Sequence, residues 1–358
     1  MKYNEVDAAY LSQIDLTGKL SAYQIGSSDT FPPYIEESLS CVQVANIFEQ
    51  TEISVMDQLP LRYVTQNKKS LFTELMTKNG VFSFIRLPLC QLNNRAYFLF
   101  LFSKKDLIES KALIQCVEGE KERLVEQVLS FFVSMDKIKD IFLSYRKILE
   151  LKGDETFSHM ERVAIYSYKI AIQTWHLARI LRRKDILDEF TPFTFETLKL
   201  AATIHDVGKL AIPENILNKP SKLTKEEFEI IKTHSEKGLE IINTAFSHET
   251  VTRDDIYSPE LYSIIDMTKE IIHQHHERLD GSGYPRGLKN NEIGLFSKIV
   301  SVADVFDAIT SKRIYKASQS TKSAIKEMMQ DQFDKYDPLI LEALLRTQNM
   351  SLLQSVQS

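Results

Sequence analysis

Apolar positions change their spacing twice along this chain. Residues 81–91, VFSFIRLPLCQ, and 96–104, AYFLFLFSK, are short apolar runs rich in Phe, Ile and Leu, separated by the Asn-rich LNNR. That pattern predicts two strands joined as a hairpin. The sequence before them is ambiguous and carries no chemical motif. From about 118 to 150 the spacing becomes helical. Leu124, Val128, Phe131, Met135, Ile138, Phe142, Tyr145 and Leu149 step by 4, 3, 4, 3, 4, 3, 4, which is a heptad seam on one long helix. Such a seam predicts either a parallel coiled coil that makes a homodimer or a helix docked on its own domain.

From 151 to about 345 the chain reads as nearly all helix. Thr224 and Glu227 form a capping box at the head of LTKEEFEIIKTHSEKGLEII, after which Phe228, Ile231, Gly238 and Ile242 recur on one face. Pro259 follows Ser258 at a helix start. Ile299, Val302, Phe306 and Ile309 hold helical spacing in KIVSVADVFDAIT. The expected fold is therefore α+β overall. It has a mixed α/β domain over 1–117, a connecting helix over 118–150, an all-α bundle over 151–345 and a polar, frayed tail over 346–358.

Composition narrows the function. With 358 residues, 43% hydrophobic and 26% charged, the chain is an ordinary globular protein, and its formal net charge of −5 excludes a broad face for nucleic-acid polymers. An anionic substrate remains compatible where positive charge is gathered locally. Cys41, Cys90 and Cys116 form no CxxC pair, which argues against disulfides and a thiolate zinc site. The start lacks a basic-then-apolar leader, and the apolar run at 96–102 is too short to cross a bilayer. A cytoplasmic protein with no membrane contact is expected.

The candidate chemistry lies in the helical half. Glu155 and His159 are four apart in ETFSH; His205 and Asp206 lead HDVGK, which ends on Lys209; His234 ends IKTH; His275 and His276 are adjacent; Asp304 and Asp307 lie in SVADVFDA. A lone helical histidine is usually an unremarkable surface or core residue. Asp304 is different, because an unpaired carboxylate inside IVSVADVF is costly to bury. Coordination of a metal would remove that cost. Imidazoles and carboxylates without thiolates suit Fe, Mn, Zn, Co or Ni.

HDVGK followed about seventy residues later by HHERLDGSGYP resembles the HD-GYP family of metal-dependent phosphodiesterases. The resemblance covers about 155–338 and includes KLAIPENILNKPSKLTKEEFEIIKTHSEKG, ADVFDAITSKRIYK and FDKYDP. It implies an HD-type helical bundle that hydrolyses cyclic di-GMP to pGpG or GMP through a hydroxide between two metals. Carried over by position, the metal ligands fall on His159, His205, Asp206, His234, His275, His276 and Asp304, with Asp206 as the bridge. Glu155 matches an additional glutamate of members that assemble three metals, so two or three divalent ions are implied, iron first and manganese next. Lys209 is placed to meet a phosphate oxygen or the nucleophile. Arg313 and Lys316 match basic positions near the second phosphate, with a solvated helix end as the alternative, and Asp307, grouped with them as substrate-binding, is expected to fix one of them or a metal-bound water. Glu277 and Asp280 are expected to orient the ligands and the loop, Gly281 and Gly283 to let it turn, and Tyr284 and Pro285 to rim the site toward substrate or a signalling partner.

Two departures stand out. The stretch between His159 and His205 is long and carries ARILRRKD, and 246–261 reads as an insertion. The N-terminal hairpin resembles the end of a GAF domain in IRLPL and AYFLFLF, with a PAS-like or other sensor fold as the alternative. Three functions compete: the phosphodiesterase, a non-catalytic cyclic dinucleotide receptor, and a hydrolase of another cyclic dinucleotide or phosphoester. A complete ligand set favours an enzyme.

Overall fold

In the computed structural model, residues 8–15, 19–24, 34–38, 54–57, 83–92, 95–103, 115, 119, 121–152, 156–190, 194–246, 259–311, 319–330 and 333–348 are described. They fall into two units, Met1–Leu129 and Ser130–Ser358.

The first unit is a six-stranded antiparallel sheet. Its strands are β1 (Ala8–Asp15), β2 (Lys19–Gln24), β3 (Tyr34–Ser38), β4 (Ser54–Asp57), β5 (Ser83–Leu92) and β6 (Arg95–Ser103). Their order is β3-β2-β1-β6-β5-β4, so the first and last strands pair at the centre, from Ala8 opposite Phe102 to Asp15 opposite Arg95. The two apolar runs form the β5–β6 hairpin, as their pattern predicts. The register slips between Pro88 and Cys90, a place that suits a residue with no N–H to give to a ladder. Phe98, Leu99, Phe100, Leu101 and Phe102 are all buried. Consecutive residues of a strand point to opposite faces, so both faces of β6 are covered.

The elements that follow are α1 (Lys121–Leu151), α2 (Thr156–Ile180), α3 (Lys184–Leu187), α4 (Thr194–Ala202), α5 (Glu214–Leu217), α6 (Lys225–Lys232), α7 (His234–Ala245), α8 (Pro259–Gln274), α9 (Leu295–Thr310), α10 (Thr321–Gln330) and α11 (Pro338–Thr347). The second unit takes α1 from Ser130 onward. Its core is built on α2, α4, α8, α9 and α11, around Val163, Ile170, Leu198, Ile271, Ile299, Val302, Phe306 and Leu341. Ala171, Ala201, Ala202, Ala303 and Ala343 in the same cluster keep the helix surfaces low, which lets neighbouring backbones come close.

Two expectations change here. Ile138, Phe142 and Leu149 of the heptad seam are buried within this one chain, and Phe142 meets Phe246 edge-on at 6.4 Å. The later half of the seam is thus docked on its own unit. The side chains of Leu124, Val128 and Phe131 lie outside the described residues. The face through Phe228 and Ile242 is also not one helix. The chain breaks at Thr233 between α6 and α7, burying Gly238 and Ile242 and leaving Phe228 exposed. No described helix is long and apolar enough to cross a membrane.

Candidate metal centre

Helix ends converge on the site. His159 lies in the first turn of α2, His205 three residues past α4, His234 at the first position of α7, and His275 and His276 just beyond α8; Asp304 comes from the middle of α9. Backbone carbonyls set the rings. Nδ1 of His205 donates to the Ala202 carbonyl at 2.9 Å, and Nδ1 of His234 to Ile231 at 2.7 Å. Nδ1 of His275 donates to Ile271 and Ile272 at 2.9 and 3.1 Å. A carbonyl only accepts, so each Nδ1 carries the proton and each Nε2 keeps its lone pair. Ordinary helix-end carbonyls therefore select the ligating tautomer.

Those lone pairs meet at Asp206. Its Oδ1 lies 3.3 Å from Nε2 of His234 and 3.8 Å from Nε2 of His275. Its Oδ2 lies 3.4 Å from Nε2 of His205, 3.9 Å from Nε2 of His159 and 2.9 Å from Nζ of Lys209. Two donor groups result, Asp206 with His234, His275 and His276, and Asp206 with His159 and His205; within each, the donor atoms lie within 4.8 Å of one another. Asp304 adds an oxygen 3.2 Å from Nε2 of His159. Nε2 of His205, His234 and His275 and Oδ1 of Asp206 are buried without a hydrogen-bond partner. Buried polar atoms are nearly always partnered, and here acceptor faces acceptor. A cation resolves that arrangement, and the oxygen and nitrogen donors fit a divalent metal in each group.

Electrostatics agrees with the geometry. Burial pushes the Asp206 carboxyl upward, but the Lys209 ammonium beside it holds it well below the usual range. Asp304 is likewise held low by His159 against its burial. Burial pulls His159 down, yet hydrogen bonds to Asp304 and Asp307 lift it to about 9. Burial takes His234 down to about 4 and holds His276 well below its ordinary value, so both rings are neutral at pH 7.

The glycines of the two motifs are set by contact. A Cβ on Gly208 would overlap the His234 carbonyl, and one on Gly283 would overlap the backbone of Glu277. Gly281 and Gly287 have φ of +81° and +65°, where side chains strain the backbone. Glu277 is buried and accepts from the amides of Arg286 at 2.8 Å and Leu288 at 3.0 Å. Asp280 accepts from the amide and hydroxyl of Ser282 at 2.9 and 2.6 Å. Both therefore shape the loop, and their described hydrogen bonds go to it, not to the histidines. The loop lays Tyr284 on the His276 ring, with centroids 4.6 Å apart and planes 30° apart.

The structure thus gathers His159, His205, Asp206, His234, His275, His276 and Asp304, with Lys209 on Asp206. Asp307 lies inside the helical unit, and Arg313 and Lys316, its expected partners, are not among the described residues. Asp307 is 1% exposed, and its oxygens accept from Nδ1 of His159 at 2.7 Å, Nε and Nη2 of Arg162 at 2.6 and 3.0 Å, and Ser311 at 3.0 Å. It stands behind His159, on the side of Nδ1. Arg162 was not anticipated; its only signal is a position three residues after His159, on the same helix face. Glu155, Arg313, Lys316 and the 247–258 part of the insertion lie outside the described residues.

Residues 176–340 match the HD domain family. The helical unit holds an HD domain. His159 precedes the matched segment, on the helix α2 that runs into it. A probable cyclic di-GMP phosphodiesterase of Vibrio cholerae is 29% identical over 299 residues, 81% of this chain and 61% of the relative. A cyclic di-GMP phosphodiesterase of Thermotoga maritima is 32% identical over 71% of this chain and 59% of its own. A 3'3'-cGAMP-specific phosphodiesterase of Vibrio cholerae is 32% identical over 58% of this chain and 34% of its own. The chain spans about six tenths of the length of the first two.

Proposed function

We propose that this HD domain is a metal-dependent phosphodiesterase that hydrolyses cyclic di-GMP to pGpG, GMP or both. The observation that carries the reading is the pair of donor groups sharing Asp206. Two or three divalent ions, iron first and manganese next, would supply Lewis acidity and an activated water when bound. Asp206 would serve both groups through its two oxygens. Lys209, 2.9 Å from Asp206, would donate to a phosphate oxygen. Tyr284 would wall the site, and Arg313 and Lys316 would meet the second phosphate. Glu155 would complete a third ion.

The sheet unit is read as a GAF-like sensor. The 118–150 helix would carry its signal and pair two chains, and the loop around Tyr284 would offer a surface to a signalling partner, all in the cytoplasm. Nζ of Lys152, at the end of α1, donates to the carbonyls of Leu210 and Ile212 at 2.6 and 3.1 Å, which supports a link from this helix to the site.

A second reading keeps the hydrolase and changes the substrate to a mixed cyclic dinucleotide, favoured by the relative named for 3'3'-cGAMP. Anaerobically purified chain, assayed for metal and then with labelled cyclic di-GMP and 3'3'-cGAMP, separates them. Turnover of cyclic di-GMP, lost in a His205→Ala/Asp206→Ala double variant that stays folded, is expected. Preferred turnover of cGAMP would select the second reading. Tight binding with no turnover of either would leave a receptor and overturn both.

A further inference from the structure

Helix α6 carries an aromatic ring and a cation that the hydrolytic chemistry does not use. Phe228 is 45% exposed. One turn later, Nζ of Lys232 lies 5.1 Å from the centroid of the Phe228 ring and 5.7 Å from that of Tyr284. Tyr284 in turn stacks on His276. Phe228, Lys232, Tyr284 and His276 thus form a continuous line from solvent to a metal donor. Single exposed phenylalanines are common and need no explanation. One aligned through a lysine with the ring that covers a ligand histidine is placed for recognition. Lys232 also pairs with Glu229 at 2.6 Å, but the Glu229 side chain is 68% exposed, and such pairs exchange readily. His234 begins α7 two residues after Lys232, which keeps this patch beside the centre.

We propose that Phe228 and Lys232 form an outer subsite for one nucleotide of a cyclic dinucleotide. Its base stacks on Phe228, and its phosphate is drawn to Lys232. The inference rests on the phosphodiesterase reading and extends it. Every base has a π-face, so stacking is tolerant of base identity. The subsite therefore strengthens binding of dinucleotides as a class and does not choose guanine over adenine.

The test compares cyclic di-GMP with methyl p-nitrophenyl phosphate, a phosphodiester with no nucleobase, on the full metal-loaded chain. In Phe228→Ala the ratio of the two kcat/KM values should fall about tenfold, with the loss residing in KM for cyclic di-GMP. Phe228→Trp should restore it, and 3'3'-cGAMP should lose as much as cyclic di-GMP. An unchanged ratio, or equal loss on both esters, overturns the subsite and leaves the phosphodiesterase reading standing. A wild type that hydrolyses only the base-free ester also overturns the subsite. A wild type that hydrolyses neither removes the phosphodiesterase reading, and the subsite with it.

Discussion

Nδ1 of His159 lies 2.7 Å from Oδ2 of Asp307, and that contact fixes which nitrogen of His159 can hold a metal. An ionised carboxylate only accepts, so the proton sits on Nδ1 and Nε2 turns to Asp206 and Asp304. Arg162 grips Asp307 with two N–H groups at 2.6 and 3.0 Å. Removing such outer support typically costs about 10–100-fold in metal affinity. Arg162→Gln should therefore weaken metal binding by that order in a chelator-competition titration. Arg162→Lys should recover part of it, since an ammonium cannot make the two-pronged contact. Wild-type affinity in Arg162→Gln would dismiss the role.

The same histidine sets a proton count. His159 is raised to about 9 by Asp304 and Asp307 against its burial. Its contribution to stability is thus fully present below the unfolded value of 6.5 and is lost as pH rises through about 9. A metal needs the neutral ring, so binding at pH 7 should expel about one proton from His159, and none above about pH 10. His234, near 4, gives up none at pH 7. Calorimetry in buffers of different ionisation enthalpy reads the difference between wild type and His159→Gln. Equal release at pH 7 would contradict the assignment.

Asp206 shows function set against stability. Oδ1 is buried and unpartnered beside the equally unpartnered Nε2 atoms of His234 and His275. Each unpaired group costs about 1–3 kcal/mol. An amide in the same place can donate to one of those nitrogens. Asn also gives up the ion pair with Lys209, so metal-free Asp206→Asn should melt close to the wild-type temperature, while added metal should raise Tm only in the wild type. A metal-free variant melting well below wild type would show that the carboxylate stabilises the fold.

Gly208 is held by backbone. A Cβ there would overlap the His234 carbonyl and crowd the Gly238 amide, and neither can rotate away as a side chain could. Gly208→Ala should cost about 3 kcal/mol and displace His234, so metal is lost along with stability. A Gly208→Ala chain with wild-type Tm and metal content would show that the turn can relax.

Much of this centre is legible in one sequence because its histidines sit at helix ends and its motifs have fixed spacing. HDVGK and HHERLDGSGYP carry the chemistry on a few residues whose backbone must turn closely. The hairpin is legible for a similar reason, since continuous apolar runs around an Asn-rich turn admit few alternatives. Strands β1 to β4 were not, because their short, mixed patterns acquire meaning only by pairing with β6 and β5. Spacing from Asp304 gives Asp307 its helix but not its depth. Phe228 was misread because helical periodicity continues across Thr233, where the helix does not.

Lys152 joins α1 to the turn that follows Lys209. Its ammonium donates to the carbonyls of Leu210 and Ile212, and its own carbonyl accepts from Nδ2 of Asn218 at 2.8 Å. None of these groups touches the metal donors, but Leu210 is the next residue after Lys209, so the clamp fixes the exit of the turn that carries Asp206 and Lys209. Hydrogen bonds to a charged group contribute about 1.5–3 kcal/mol. Lys152→Met should destabilise the chain by that order. It should also speed amide exchange at 207–212 and lower kcat several-fold at wild-type metal content, and Lys152→Arg should recover most of each. Faster exchange with an unchanged kcat would make Lys152 a structural clamp only. Unchanged exchange would mean that the turn holds its shape without it.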